Sequence, residues 1–100
     1  MNKEEVQLKA FQIIAAAGEA LGEYYDAILA YKQKNWETAK ERVKKGDARL
    51  TEAHLIQTEL IRAEVAGNDL PGSLILTHSQ DHLVQAQIFE KIAKLLIEED

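Results

Sequence analysis

The chain has no cysteine among its 100 residues. That absence excludes a disulfide framework, thiolate metal sites and thiol catalysis within the chain, and it suits a reducing cytosol. Proline occurs once, as Pro71, and glycine five times. So little punctuation favours long helices over many short strands. Long hydrophobic runs are missing too. The longest uninterrupted apolar stretch is five residues, far short of the roughly 20 that a spanning helix needs. The opening residues, Met1-Asn2-Lys3-Glu4-Glu5, lack the apolar centre of a signal peptide. No Lys/Arg cluster forms a stripe, and the net charge of -5 is mixed along the chain, which argues against a nucleic-acid partner. These absences predict a soluble protein.

What is present points to helices. The chain is 46% hydrophobic and 29% charged, a globular balance. Residues 1–100 are one domain's worth of chain, short enough that self-association would add useful burial. Asn2 with Glu5 three residues later reads as a capping box opening a first helix. Apolar residues follow at helical spacing as Ala10, Ile14, Ala17, Leu21, Tyr24, Ile28 and Tyr31. A neighbouring row holds Phe11, Ala15, Gly18, Gly22, Tyr25 and Leu29. Together they predict a wide buried face, with a close backbone approach at Gly18 and Gly22.

A break near Lys34-Asn35 precedes helix two, with Asn35 as its N-cap and Trp36 capping the bundle end. The stripe of helix two is Ala39, Val43, Gly46, Leu50, Ala53, Gln57 and Leu60, and Gly67 closes it at C′. Asn68-Asp69-Leu70-Pro71-Gly72 is a loop, and Ser73 or Asp69 caps a third helix running from about Ser73 to Glu98. Short connections make neighbours antiparallel. The expected subunit is all-α, an up-down-up three-helix bundle.

Helix three carries the chemistry. One row reads Leu74, His78, Asp81, Gln85, Ile88, Ile92 and Leu95, and the next Ile75, His82, Phe89 and Leu96. The polar members cluster between apolar ends, and burying them unpaired would be unfavourable, so they need partners or a task. His78 and His82 are i, i+4 neighbours and Asp81 is i+3 from His78. Three readings fit that spacing. The polar layer could fix the register of a helical oligomerisation module. His78, Asp81 and His82 could hold zinc, although H-x-x-D-H lacks the glutamate of H-E-x-x-H and a fourth ligand. A neutral imidazole could also attack phosphorus while its neighbour orients the ring and the phosphoryl oxygens.

The run Pro71-Gly72-Ser73-Leu74-Ile75-Leu76-Thr77-His78-Ser79-Gln80-Asp81-His82-Leu83-Val84 resembles a known signature. Its form, H-(G/A/S)-Q-D-H-L, belongs to lactose/cellobiose-type IIA components of the phosphoenolpyruvate-dependent sugar phosphotransferase system. Upstream, Glu52-Ala53-His54-Leu55-Ile56-Gln57-Thr58 resembles that family's E-A-H-x-x-Q-T motif, and Phe11-Gln12-Ile13-Ile14 to Ala17-Gly18 also fits its pattern.

The resemblance implies a cytoplasmic phosphotransferase component with a phosphohistidine intermediate. It would accept phosphate from phospho-HPr and pass it to a IIB partner, meeting the membrane only through the IIC transporter. His78 matches the phosphorylated histidine and His82 its active-site companion. Asp81 matches a carboxylate at the axis of a homotrimer, where three copies surround a divalent cation such as Mg²⁺. Gln80 matches a motif position and, with His54 and Gln57, is a candidate for supporting the phosphate. For His54 and Gln57, hydrogen bonding across the bundle is favoured over direct phosphate contact. Ser79 adds a hydroxyl next to the site.

Overall fold

The computed structural model describes residues 1–67, 70 and 72–98. Among them the chain forms three α-helices and no strand: α1 (Lys3–Lys32), α2 (Trp36–Val65) and α3 (Leu74–Ile97). Local chemistry sets their ends. Asn2, Asn35 and Ser73 are the N-caps, and their side chains accept the backbone N–H of Glu5 at 2.8 Å, Thr38 at 3.4 Å and Leu76 at 3.1 Å. Each bond satisfies a donor that the first helical turn leaves free. The alternative cap, Asp69, lies outside the described residues, as do Asn68 and Pro71 of the expected loop.

Gly67 closes α2 with φ 94°, the left-handed C′ position expected of it. α1 closes in the same manner without a glycine. Lys34 has φ 64°, its N–H reaches Tyr31 O at 3.0 Å, and the Asn35 N–H reaches Ala30 O at 2.8 Å. A Cβ in that region is unfavourable by roughly 1–2 kcal/mol, and the two hydrogen bonds offset it.

Partners across the helices run in opposite order. Lys9, Glu19 and Glu23 of α1 pair with Glu59, Arg49 and Arg42 of α2. Asp47, His54 and Gln57 of α2 meet Lys94, Gln87 and Gln80 of α3. The core is drawn most heavily from α1, through Val6, Ala10, Ile13, Ala17, Ala20, Tyr24 and Ala27. The α2 stripe lies inward as its spacing predicts, with only Gln57 half-buried. Trp36 is half exposed at one end of the bundle and packs edge-on against Tyr31, centroids 5.4 Å apart.

Two expectations are corrected. The row from Phe11 to Leu29 does not widen the buried face: Phe11 is 58% and Tyr25 54% exposed. α1 has two helices to pack against, and both contact the face carrying Ile13, Ala17 and Tyr24; the second row lies beyond it. Gly18 and Gly22 permit no close approach within the chain, since a Cβ at either would meet nothing within 4 Å. The glycine that does is Gly46. A Cβ there would stand 2.6 Å from Cε1 of Tyr24, whose fully buried ring fills the place of a side chain.

The inward face of α3 is a further difference. It is centred on Ser79, Leu83, Ala86, Ala93 and Ile97, between the rows that the sequence singles out. Ile75, His82 and Phe89 border the core, while His78 and Asp81 face outward with Leu74, Ile88, Ile92 and Leu95.

Candidate active site

The first turns of α3 distribute their polar side chains to opposite sides, as the 100° step between successive helical residues requires. His78 and Asp81 are exposed and His82 is half-buried. The two imidazoles meet edge to face, with ring centroids 4.4 Å apart. Nδ1 of His82 lies 3.2 Å from the His78 carbonyl oxygen. A carbonyl can only accept, so this bond requires the proton on Nδ1 and leaves Nε2 of His82 as the ring's free nitrogen. One helical turn therefore supplies an exposed imidazole and a second one of fixed orientation beside it.

Ser79 points the other way. It is fully buried; its hydroxyl donates to Leu76 O at 2.6 Å and accepts from Gln80 Nε2 at 3.1 Å. The hydroxyl expected next to the histidine site is therefore turned into the bundle. Gln80 continues that chain toward α2, its Oε1 accepting from Gln57 Nε2 at 2.6 Å. His54 is engaged in the same layer, with Gln87 Nε2 donating to its Nε2 at 3.0 Å. Of the candidate residues, the structure brings His78 to His82 and Gln57 to Gln80. It joins His54 to Gln87, a residue that sequence reasoning missed although it lies seven positions, two helical turns, beyond Gln80.

A second polar cluster was also missed. The Tyr24 hydroxyl donates to Asp47 Oδ1 at 2.6 Å, and Lys94 reaches Asp47 at 3.0 Å and Glu90 at 2.9 Å. Burial and the Asp47 carboxylate push the Tyr24 phenol well above its usual range. Burial works against the Lys94 ammonium, but its bonds to Glu90 and Asp47 outweigh that and hold its proton more tightly. This cluster ties the three helices together far from the histidines. Its signal in the sequence was weak, since Asp47 and Lys94 read as ordinary surface charges.

Among the described residues, no group of three or more His, Asp and Glu side chains in one chain is arranged to hold a metal ion. No hydrogen bond or ion pair to the Asp81 carboxylate is present among them either. Asp81 stands as a lone carboxylate on an exposed apolar row. No helix among the described residues is long and apolar enough to cross a membrane.

The profile of the family described as the lactose/cellobiose-specific IIA subunit of the PTS system matches residues 8–99. This chain belongs to that family. It is 36% identical over 98 residues to the lactose-specific EIIA component of Staphylococcus aureus strain N315, covering 98% of this chain and 95% of that protein. The corresponding Streptococcus mutans protein is 37% identical, with 98% and 94% covered. The crystal structure of PtcA from S. mutans superposes with a TM-score of 0.94 at 32% identity, over 98% of this chain and 96% of that one. The cellobiose-specific enzyme IIA of Bacillus anthracis gives a TM-score of 0.90 at 33% identity, over 98% and 88%. A IIA subunit is a component of a sugar phosphotransferase system, and the His78–His82 pair lies inside the matched segment.

Proposed function

We propose that this IIA subunit is a cytoplasmic phosphohistidine carrier, with His78 as the acceptor. The carrying observation is the pair of imidazoles on one turn of α3, exposed at His78 and oriented at His82 by the Nδ1–carbonyl bond. In the forward step a ring nitrogen of neutral His78 attacks the phosphorus of phospho-HPr. A nitrogen–phosphorus bond forms on His78 as the one on HPr breaks, and the HPr imidazole leaves with its electron pair. In the second step a thiolate of the IIB partner attacks the same phosphorus and His78 leaves. Such transfer is mostly a matter of in-line positioning and of donors for the equatorial oxygens. His82 supplies one donor when its Nε2 is protonated, and Gln80, Gln57 and His54 act from behind by fixing the position of the helix. The sugar is of the lactose/cellobiose class, delivered through IIC.

The carrier works as a homotrimer of up-down-up subunits. The opposite order of the cross-helix pairs supports that topology, and the exposed row of Leu74, Ile88, Ile92 and Leu95 supports the assembly. Asp81 lies in that row, so three copies meeting at an axis would crowd three carboxylates in a setting that penalises charge. Asp81 of each copy is the residue that would hold a divalent cation such as Mg²⁺, and the ion would offset their repulsion with oxygen ligands it prefers.

Incubation with phosphoenolpyruvate, enzyme I and HPr, followed by intact mass, tests the carrier reading. One phosphate per chain is expected, acid-labile and absent from His78→Ala. Full phosphorylation of that variant would remove His78 as the acceptor.

A further inference from the structure

The row of α1 that borders α3 has one member out of keeping with the rest. Gln7, Ile14, Leu21 and Ile28 recur every seven residues and so share one edge of the helix. All four are half-buried, and Leu21 and Ile28 pack against the core. α2 lies along the opposite edge of α1, held by Lys9, Glu19 and Glu23, so α3 is what half-covers this row. α3 turns Gln80, Gln87 and Lys94 toward α2, which leaves half-buried Ile75, His82 and Phe89 along α1. Each of these facing rows is apolar but for a single polar residue, Gln7 on α1 and His82 on α3.

The cross-helix pairs, read along α2, set the level of those two residues. Glu59 of α2 meets Lys9, and Gln57, two positions earlier, meets Gln80. Arg49 meets Glu19, and Asp47, again two positions earlier, meets Lys94. α2 runs opposite to α3, so Lys9 stands close to the level of His78 and Glu19 close to that of Ile92. Both α1 and α3 rise about 1.5 Å per residue in the same direction. Gln7 therefore lies within one helical turn of the level of His78, on the edge that borders the imidazole pair. No hydrogen bond to its side-chain amide is present among the described residues. A half-buried amide without a partner is unfavourable, and leucine would suit the row better.

We propose that Gln7 is a further phosphoryl-contacting residue of the carrier. Its Nε2–H donates to an equatorial oxygen of the phosphate on His78, arriving from α1 while His82 approaches from its own turn of α3. The bond adds a donor where charge spreads over the equatorial oxygens during transfer, and no proton moves in making it. A neutral donor also suits a group that has to be passed on. An ammonium in this place would hold the phosphate by charge as well as by hydrogen bond, and would oppose its release to IIB. An amide orients the oxygens with the weaker bond.

This inference rests on His78 as the acceptor, and the experiment keeps the two apart. Single-turnover transfer from phospho-HPr is followed for wild type, Gln7→Leu and Gln7→Glu, beside the thermal unfolding of each. Gln7→Leu should unfold at the same or a higher temperature, since it completes an apolar row. It should nevertheless accept phosphate about 10- to 100-fold more slowly, the scale of one donor lost to a charged group. Gln7→Glu should be slower still, because its carboxylate repels the phosphoryl oxygens. A glutamine with only a structural task would show the reverse, a lower unfolding temperature at an unchanged rate. In wild type, NMR should find the Gln7 side-chain amide proton shifted downfield once His78 is phosphorylated, a readout that needs no variant. Both variants at the wild-type rate, or an amide resonance unmoved by phosphorylation, would overturn the role of Gln7 and leave His78 standing. Phosphate still taken up by His78→Ala would remove the acceptor and this inference with it.

Discussion

α3 carries two polar layers that face opposite ways and differ in what they leave unsatisfied. On the α2 side, Gln80, Gln87 and Lys94 recur every seven residues, and each finds a partner in Gln57, His54 or Asp47. On the outer side, His78, Asp81 and Gln85 stand among exposed Leu74, Ile88, Ile92 and Leu95, and the only bond there among the described residues is from His82 to the His78 backbone. Composition does not distinguish the layers, since both mix amides, histidine and charge. Pairing does. A buried polar group with a partner specifies how helices meet, whereas an unpaired one on an exposed apolar row is available to a ligand or a second chain.

The largest effects should fall on the outer layer. His82→Ala should fold and assemble yet pass phosphate about 10²-fold more slowly, the usual loss for a positioned proton donor. Stopped-flow exchange with phospho-HPr and with IIB would measure it, and equal rates in both directions would remove His82 from the site. Asp81→Leu should come next. The hydrophobic replacement should tighten the trimer by roughly 1–4 kcal/mol and make it indifferent to EDTA, which should loosen wild type. Sedimentation with and without chelator reads both, and a monomeric Asp81→Leu would end the axial-carboxylate arrangement.

The inner layer should answer in stability and leave transfer alone. Gly46→Ala forces a methyl against the buried Tyr24 ring and should destabilise the fold by about 1–3 kcal/mol. Gly18→Ala, facing open space, should raise monomer stability by up to about 1 kcal/mol. Urea titrations of the pair would invert this ranking if the close approach lay at the wrong glycine.

The smallest effect is alkaline. Folding raises the pKa of both Tyr24 and Lys94, so the native chain holds these two protons more tightly than the unfolded one. Their contribution is intact below the ordinary values near 10 and fades as pH rises past them. The unfolding temperature should decline above about pH 10, and less steeply in Tyr24→Phe. A flat profile to pH 11 would show that the cluster is not formed in solution.

Much of this molecule was legible from residues alone, for a local reason. Caps at Asn2, Asn35 and Ser73 and the glycine stop at Gly67 act over three or four residues, and they lie where their side-chain chemistry places them. The histidine pair is likewise a matter of i, i+4 spacing within one turn, and its surrounding motif carries the family likeness. The less legible part was everything that depends on which neighbour a face meets. Two apolar rows on α1 look alike in one dimension, yet one is core and the other exposed. Ser79 and His78 are adjacent in sequence, yet one is buried inside the bundle and the other is exposed.

The sequence by itself thus determined the helices, their ends and the meeting of two histidines on one turn, because each rests on contacts close along the chain. Only the tertiary structure decided that Gly46 rather than Gly18 admits a side chain from another helix, and that Gln80 turns to Gln57 while His78 is left open. Hydrophobic pattern specifies that a surface will be covered, and covering is non-directional. Which surface covers it depends on where two other helices lie, and that is set by packing across tens of residues of intervening chain.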